Sequence, residues 1–392
     1  MSWTWIAQLH ERRQDAVCVL AYRPSAASAE HVAYLPLRKR IEYNRKSGKF
    51  VNTLCMAGND WADHTGVLCL PGYQDTALPL LGHYLAGMQP ARVQLHNLHM
   101  RKSDVMLLKA CFENSRYKVK RDRLADNGGE TSLDTSPRLE LDSSFTVWLR
   151  EKTSAGTRQK IRRFRRQLEN SPDSLIRQSD QQSMDADLDE MQRLWEERWS
   201  TMKGRQVGAM GAKYRRIVAD GMRSGQMFVL VMQRKEKPVA IHAYYSDPVR
   251  KSILFYVGAR DVKQKSGSPG LLLHAQAIEG AIQRGFRWID FLRGDEKYKY
   301  SLGASDVPLY SYSITDQQLP GAARLLDDQC LQQVLDLLAH HQSRRSEKTM
   351  EGLYSQALDT WPANTALLTQ YAQWQRSIGH SDLAATILSS IQ

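Results

Sequence analysis

Between Gln226 and Leu292 the chain lays down an order of elements that few folds accommodate. Three runs, QMFVLVMQR (226–234), KPVAIHAYYSD (237–247) and SILFYVGARD (252–261), are rich in β-branched and aromatic residues. They predict three strands in meander, the first two joined by a tight turn at KEK. GSPGLLLHAQAIEG (267–280) then passes from Gly, Ser and Pro into helix formers, with Leu271, Ala275, Ile278 and Ile282 as its apolar face. FRWIDFL (286–292) follows as a buried-looking strand. Pro269 suits a first helical turn, where its missing N–H costs nothing. Gly267 and Gly270 let backbone amides approach a ligand, and a helix start attracts anions. Lys263 and Lys265 add charge upstream. The stretch is either a plain strand-to-helix connection or a cradle for phosphate.

At 392 residues the chain exceeds what one core usually organises. Residues 15–140 alternate strand-like runs (DAVCVLAY, HVAYLPLR, TGVLCL, ARVQLHNL) with helical ones (TALPLLGHYLAGM, KSDVMLLKACFEN), which predicts an α/β or α+β unit. Ser103 is the expected N-cap of the second helix. The polar, turn-rich stretch 123–141 reads as a junction. Four helical patterns then precede the three strands. From about Gly321 the pattern is helical, and Ala357, Pro362, Leu368, Tyr371, Ala372, Gly379 and Ala384 fall where a tetratricopeptide repeat wants small, apolar or turn residues. A stack needs about three repeats and one is evident, so the tail is expected to pack on the preceding domain or on a partner. The expected domains are 1–140, 141–318 and 319–392.

Five scattered cysteines, with no C-x-x-C pair, argue for reduced thiols rather than a disulfide or zinc framework, and no metal is expected. No apolar run is long enough to span a bilayer and the start lacks a secretory pattern, so a cytoplasmic protein is the expectation. The net charge of +12 favours anionic partners. It concentrates in REKTSAGTRQKIRRFRR (150–166), where a helix with Ile161, Phe164 and Leu168 inward leaves Arg158, Arg162, Arg165 and Arg166 outward. That face is either solvated or an anion site.

Taken together, Arg158/Arg162, SPGLLL (268–273) and DFLRGDEKYK (290–299) make the region 143–303 resemble the GNAT superfamily of acyl-CoA transferases. More narrowly it is similar to the CelD-like and FemAB-like branch. The resemblance implies tandem GNAT-like domains, each a mixed sheet with flanking helices, the first a degenerate copy without the loop. It implies acetyl-CoA or another acyl-CoA as co-substrate, its pyrophosphate held by Gln264, Lys265, Gly267, Ser268, Gly270 and Leu271. The loop departs from Q/R-x-x-G-x-G/A in that Gly270 comes one place late.

Acyl transfer from a thioester needs a base for the nucleophile and an acid for the departing thiolate. His242 is the one imidazole in the three strands and titrates near neutrality when unperturbed; it is either base or structural. Tyr256 is either the proton donor or a core aromatic. Asp290 and Lys299 are either functional or ion-paired, Asp290 with Arg293 or Lys299. Arg158, Arg162, Arg165 and Arg166 are the candidate acceptor site. The resemblance points to a small-molecule or saccharide acceptor, a sugar or nucleotide-linked precursor of bacterial envelope or exopolysaccharide synthesis. Two other readings stay open: an aminoacyl-tRNA-dependent Fem-like transferase, with tRNA on the basic helix, and a non-catalytic protein that binds a protein partner through its tail.

Overall fold

The computed structural model describes residues 16–59, 62–113, 116–126, 129–264, 267–318 and 325–391. The chain divides into two compact units, Met1–Arg123 with Leu309–Gln392, and Leu124–Pro308.

The first unit opens with β1 (Val17–Tyr22), β2 (Ala33–Asn44), β3 (Lys49–Met56) and the short β4 (Leu68–Cys69), followed by α1 (Gln74–Gly87), β5 (Arg92–Leu98), α2 (Lys102–Lys109) and β6 (Tyr117–Arg121). Ser103 does not cap α2. Arg101 holds the cap position without a side-chain bond, and Ser103 Oγ donates to Asp104 instead.

The second unit contains the hairpin β7 (Ala125–Asp126) and β8 (Thr131–Ser132), then β9 (Arg138–Glu140), α3 (Phe145–Glu151), α4 (Ala155–Glu169), β10 (Ser174–Gln178), α5 (Met184–Lys203) and α6 (Val207–Arg223). The predicted meander follows as β11 (Met227–Arg234), β12 (Lys237–Asp247) and β13 (Ser252–Arg260). It leads into α7 (Pro269–Gln283), β14 (Trp288–Asp290) and α8 (Lys297–Ser301). The chain then returns to the first unit with β15 (Tyr310–Asp316), α9 (Leu331–Gln342), α10 (Glu347–Thr360), α11 (Thr365–Ser377) and α12 (Ser381–Ser389).

One path is drawn twice. In the first sheet, ordered β1-β2-β3-β5-β15-β6, an antiparallel meander ends at β3, and α1 carries the chain to β5, parallel to β3. In the second, ordered β10-β11-β12-β13-β14-β9, the meander ends at β13 and α7 carries the chain to β14, parallel to β13. A parallel neighbour requires such a crossover, which is why each meander is followed by a helix. Beside each parallel strand lies an antiparallel one from a distant part of the sequence, β15 next to β5 and β9 next to β14.

The expected boundaries at 140 and 318 therefore differ from the observed division. The second unit begins at Leu124, with Arg138–Glu140 in its sheet, and Tyr310–Asp316 completes the first sheet, pairing with β5 and β6. Sequence reading misses this exchange because local pattern does not reveal which sheet a strand joins.

The tail docks in cis. The β2–β3 hairpin outruns its helical cover, and Ile41 and Phe50 near its far end pack with Val334, Leu338, Leu353 and Tyr354. Pairing of β3 with β5 begins at Thr53, which leaves the N–H and C=O of Phe50 without a strand partner on that side. The amide of Gln356, itself buried, accepts from the first at 2.9 Å and donates to the second at 2.9 Å. Gln356→Leu should cost about 2–4 kcal/mol, since both backbone groups lose their partner, as read by urea unfolding. An unchanged midpoint would show that water replaces the amide.

Candidate active site

The second sheet opens where β13 and β14 part. They pair from Ser252↔Trp288 to Leu254↔Asp290 and no further. Two local devices divert the chain after Asp290. Phe291 N donates to Pro137 O at 2.9 Å, and Leu292 N donates to the Asp290 carboxylate at 2.8 Å, with Leu292 in the left-handed region at φ 57°. On the other strand a bulge falls between the Ala243 and Tyr244 pairs, at Tyr256. The wedge that results is lined by Phe255 and Phe291, both packed edge-on against His274 of α7 at 4.6 and 5.5 Å. Tyr298 of α8 lies flat on His274, 5.3 Å away and 17° from parallel.

Behind the wedge runs a buried polar chain. Tyr244 Oη lies 3.2 Å from His242 Nδ1 and 3.0 Å from His274 Nδ1. A phenol has one proton to give, so with both rings neutral it donates to one histidine and accepts from the other. The tautomers of the two rings are thus coupled. Burial, with Arg198 nearby, lowers the His242 pKa to about 3, so it does not titrate near neutrality as the sequence suggests. His274 is also pushed well below the usual range, by burial, His242 and Lys299. The unfolded chain takes up these protons near pH 6.5, whereas the folded one refuses His242's until about pH 3. Stability should therefore fall as pH drops from about 6.5 towards 3, by up to about 1.4 kcal/mol per unit for each ring. Histidine resonances of both rings that stay flat from pH 5 to 8 would check this directly.

Asp290 is 3% exposed and accepts from Ser136 Oγ at 2.8 Å as well as from Leu292. Lys299 is not directed into the wedge. Its ammonium, 2% exposed, donates to the carbonyls of Leu292, Arg293 and Gly294 at 3.1, 2.8 and 3.0 Å and pairs with Glu296 at 2.9 Å. Asp290 and Lys299 thus shape the diverted segment. Tyr256 lies on the opposite face of the sheet from His242, edge-on to Tyr214 and Tyr245 at 5.8 and 5.4 Å. Tyr298, inside the DFLRGDEKYK motif, is stacked on His274 at the wedge, where Tyr256 is not. Although it keeps 38% of its surface exposed, desolvation of the hydroxyl and the Glu296 charge raise its pKa.

The loop ahead of α7 has Gly267 at φ 84° and Ser268 left-handed at φ 38°, with Pro269 opening the helix. Among the described residues, the amides of Gly267, Ser268 and Gly270 donate to no protein group. Arg234 packs against Gly267 and donates to Gln264 Oε1 at 3.2 Å. Both border an open cleft of about 690 Å³, between the β11–β12 turn and Phe164 of α4. Leu271 packs on the core instead of facing the loop's opening, and Lys265 lies outside the described residues.

The basic helix is only partly available. Arg158 donates to the carbonyls of Leu149 and Arg150 at the end of α3, and Arg165 forms a two-point ion pair with Glu279 of α7. Arg162 and Arg166 remain exposed. The five cysteines are free, and no helix among the described residues is long and apolar enough to cross a membrane.

A meander, a crossover helix and a wedge between parallel strands, all on a doubled path, make a tandem GNAT-like fold. Residues 155–300 match the family described as acetyltransferase (GNAT) domain. Among solved structures, FemX is similar over 81% of this chain and 92% of its own, at 11% identity and a TM-score of 0.57. The C-terminal domain of a putative lysylphosphatidylglycerol synthetase from Agrobacterium fabrum covers 79% of this chain and 87% of its own, at 11% identity and a TM-score of 0.47. A tandem GNAT protein from the clavulanic acid biosynthesis pathway covers 81% and 88%, at 8% and 0.42. No curated protein sequence matches the chain.

Proposed function

We propose that this chain is an acyl-CoA-dependent N- or O-acyltransferase, in the simplest case an acetyltransferase. The observation that carries the reading is the set of amides at Gly267, Ser268 and Gly270, presented at the start of a 15-residue helix beside the wedge. Such a helix start stabilises phosphate through its N–H groups and its partial positive charge. Gln264, Gly267, Ser268 and Gly270 would hold the pyrophosphate, with Arg234 as a further cation.

In this reading the acceptor's amine or hydroxyl attacks the thioester carbonyl in the wedge, the C–S bond breaks, the thiolate takes a proton, and the proton shed by the attacking group passes through water to restore the donor. Tyr298, kept protonated, is the donor. His274 supports its ring, and the neutral His242–Tyr244–His274 chain fixes His274 in turn. Asp290 and Lys299 act as positioning residues. The acceptor is a small molecule, and the resemblance to the CelD-like and FemAB-like branch favours a sugar or nucleotide-linked precursor of envelope or exopolysaccharide synthesis.

Thermal unfolding with acetyl-CoA or with bulk tRNA tests the choice. Acetyl-CoA at a hundredfold its Kd should stabilise by about 2.7 kcal/mol, and tRNA should not. Stabilisation by tRNA alone would favour aminoacyl transfer, and by neither, a non-catalytic role.

A further inference from the structure

Resting on that reading, we propose that the acceptor carries a phosphate or carboxylate, and that Arg198 and Arg260 bind it at the mouth of the wedge. Arg198 stands near the end of α5 and Arg260 is the last residue of β13. Several contacts fasten these elements together. Glu197 pairs with Lys263 at 3.2 Å, Trp195 packs on Tyr214 at 5.1 Å, and Tyr214 packs on Tyr256 of β13. The Arg198 guanidinium lies over the Trp199 ring, 5.0 Å from its centre. Arg198 is exposed, and it is close enough to His242, Tyr298, Arg260 and Glu296 to interact electrostatically with all four, which brings it to the edge of the reacting region.

Charge balance separates Arg198 from the ion-paired arginines around it. On α5 and the neighbouring α6, Arg193 holds Glu190 and Glu197, Arg215 holds Asp189, and Arg223 lies near Asp220 and Asp185. Of the carboxylates nearest the pair, Glu197 serves Lys263 and Arg193, while Glu296 serves Lys299. Among the described residues, neither Arg198 nor Arg260 forms an ion pair. Two neighbouring cations whose nearby carboxylate, Glu296, is already held by Lys299 repel each other, and a planar guanidinium is suited to the paired oxygens of phosphate or carboxylate. Trp199 and Tyr298 offer flat apolar surface to the rest of such a molecule.

The test is calorimetric titration of the full chain, with and without saturating CoA, using amines that differ only in the anion. The pairs are glucosamine 6-phosphate against glucosamine, aminomethylphosphonate against methylamine, and glycine against glycinamide. At least one anionic member should bind tenfold or more tightly than its neutral partner. Arg198→Gln and Arg260→Gln should each weaken it by roughly tenfold to a hundredfold and erase the preference, leaving CoA affinity within twofold. If no pair discriminates, or the variants keep the preference, the proposal fails. Weaker CoA binding with unchanged amine binding would assign the arginines to the coenzyme and overturn it equally. A wild type that ignores CoA yet prefers the anionic amine would sink the acyl-CoA reading alone.

Discussion

Lys299→Met should lower the free energy of unfolding by on the order of 3–5 kcal/mol and remove most of the proposed acyl transfer. Methionine keeps the length of the side chain and discards its three donors. The carbonyls of Leu292, Arg293 and Gly294 then lose the group on which they converge, and Glu296 loses its cation. Each buried acceptor left unpaired costs about 1–3 kcal/mol, less where the segment relaxes to reach water. Relaxation is itself damaging, because it loosens the turn that starts α8 and with it the stacking of Tyr298 on His274. Lys299→Arg should not rescue: a planar fork does not direct three donors at three converging carbonyls. Urea unfolding and a turnover assay read the two effects together. A Met variant as stable as the wild type yet inactive would return Lys299 to a direct part in the chemistry.

Gly267→Ala should weaken acetyl-CoA binding by roughly tenfold to a hundredfold, the scale of one lost charged contact, while Gly270→Ala stays within about threefold. The difference is geometric. At Gly267, φ is 84° and an added Cβ would sit 2.2 Å from Arg234 Nη2, so the loop shifts or Arg234 leaves Gln264. At Gly270 a Cβ would meet His242 Nε2 at 3.4 Å, close to ordinary contact, with helical backbone. Aspartate at either position should be worse than alanine, since its carboxylate opposes the phosphate. Calorimetry with acetyl-CoA ranks the four variants. Equal affinities across all of them, with the fold intact, would remove the loop from coenzyme binding.

Sequence by itself determined the second sheet's meander, α7 and its loop, because period-two and helical patterns are local and Gly267, Ser268 and Pro269 mark the transition wherever they stand. It also determined the inward stripe of α4, with Ile161 and Phe164 buried. Tertiary structure decided everything that depends on which distant group arrives. It took Arg158 and Arg165 out of the exposed face by supplying the end of α3 and Glu279. It moved Tyr256 behind the sheet, a matter of strand parity after a bulge. His242 lost its titration because burial beside Tyr244 and His274 disfavours a second proton, and thirty residues separate Tyr244 from the His274 it touches. Tyr310–Asp316 joined the first sheet for the same reason: hydrogen-bonding edges are matched in space, and a strand carries no local mark of the edge it will meet.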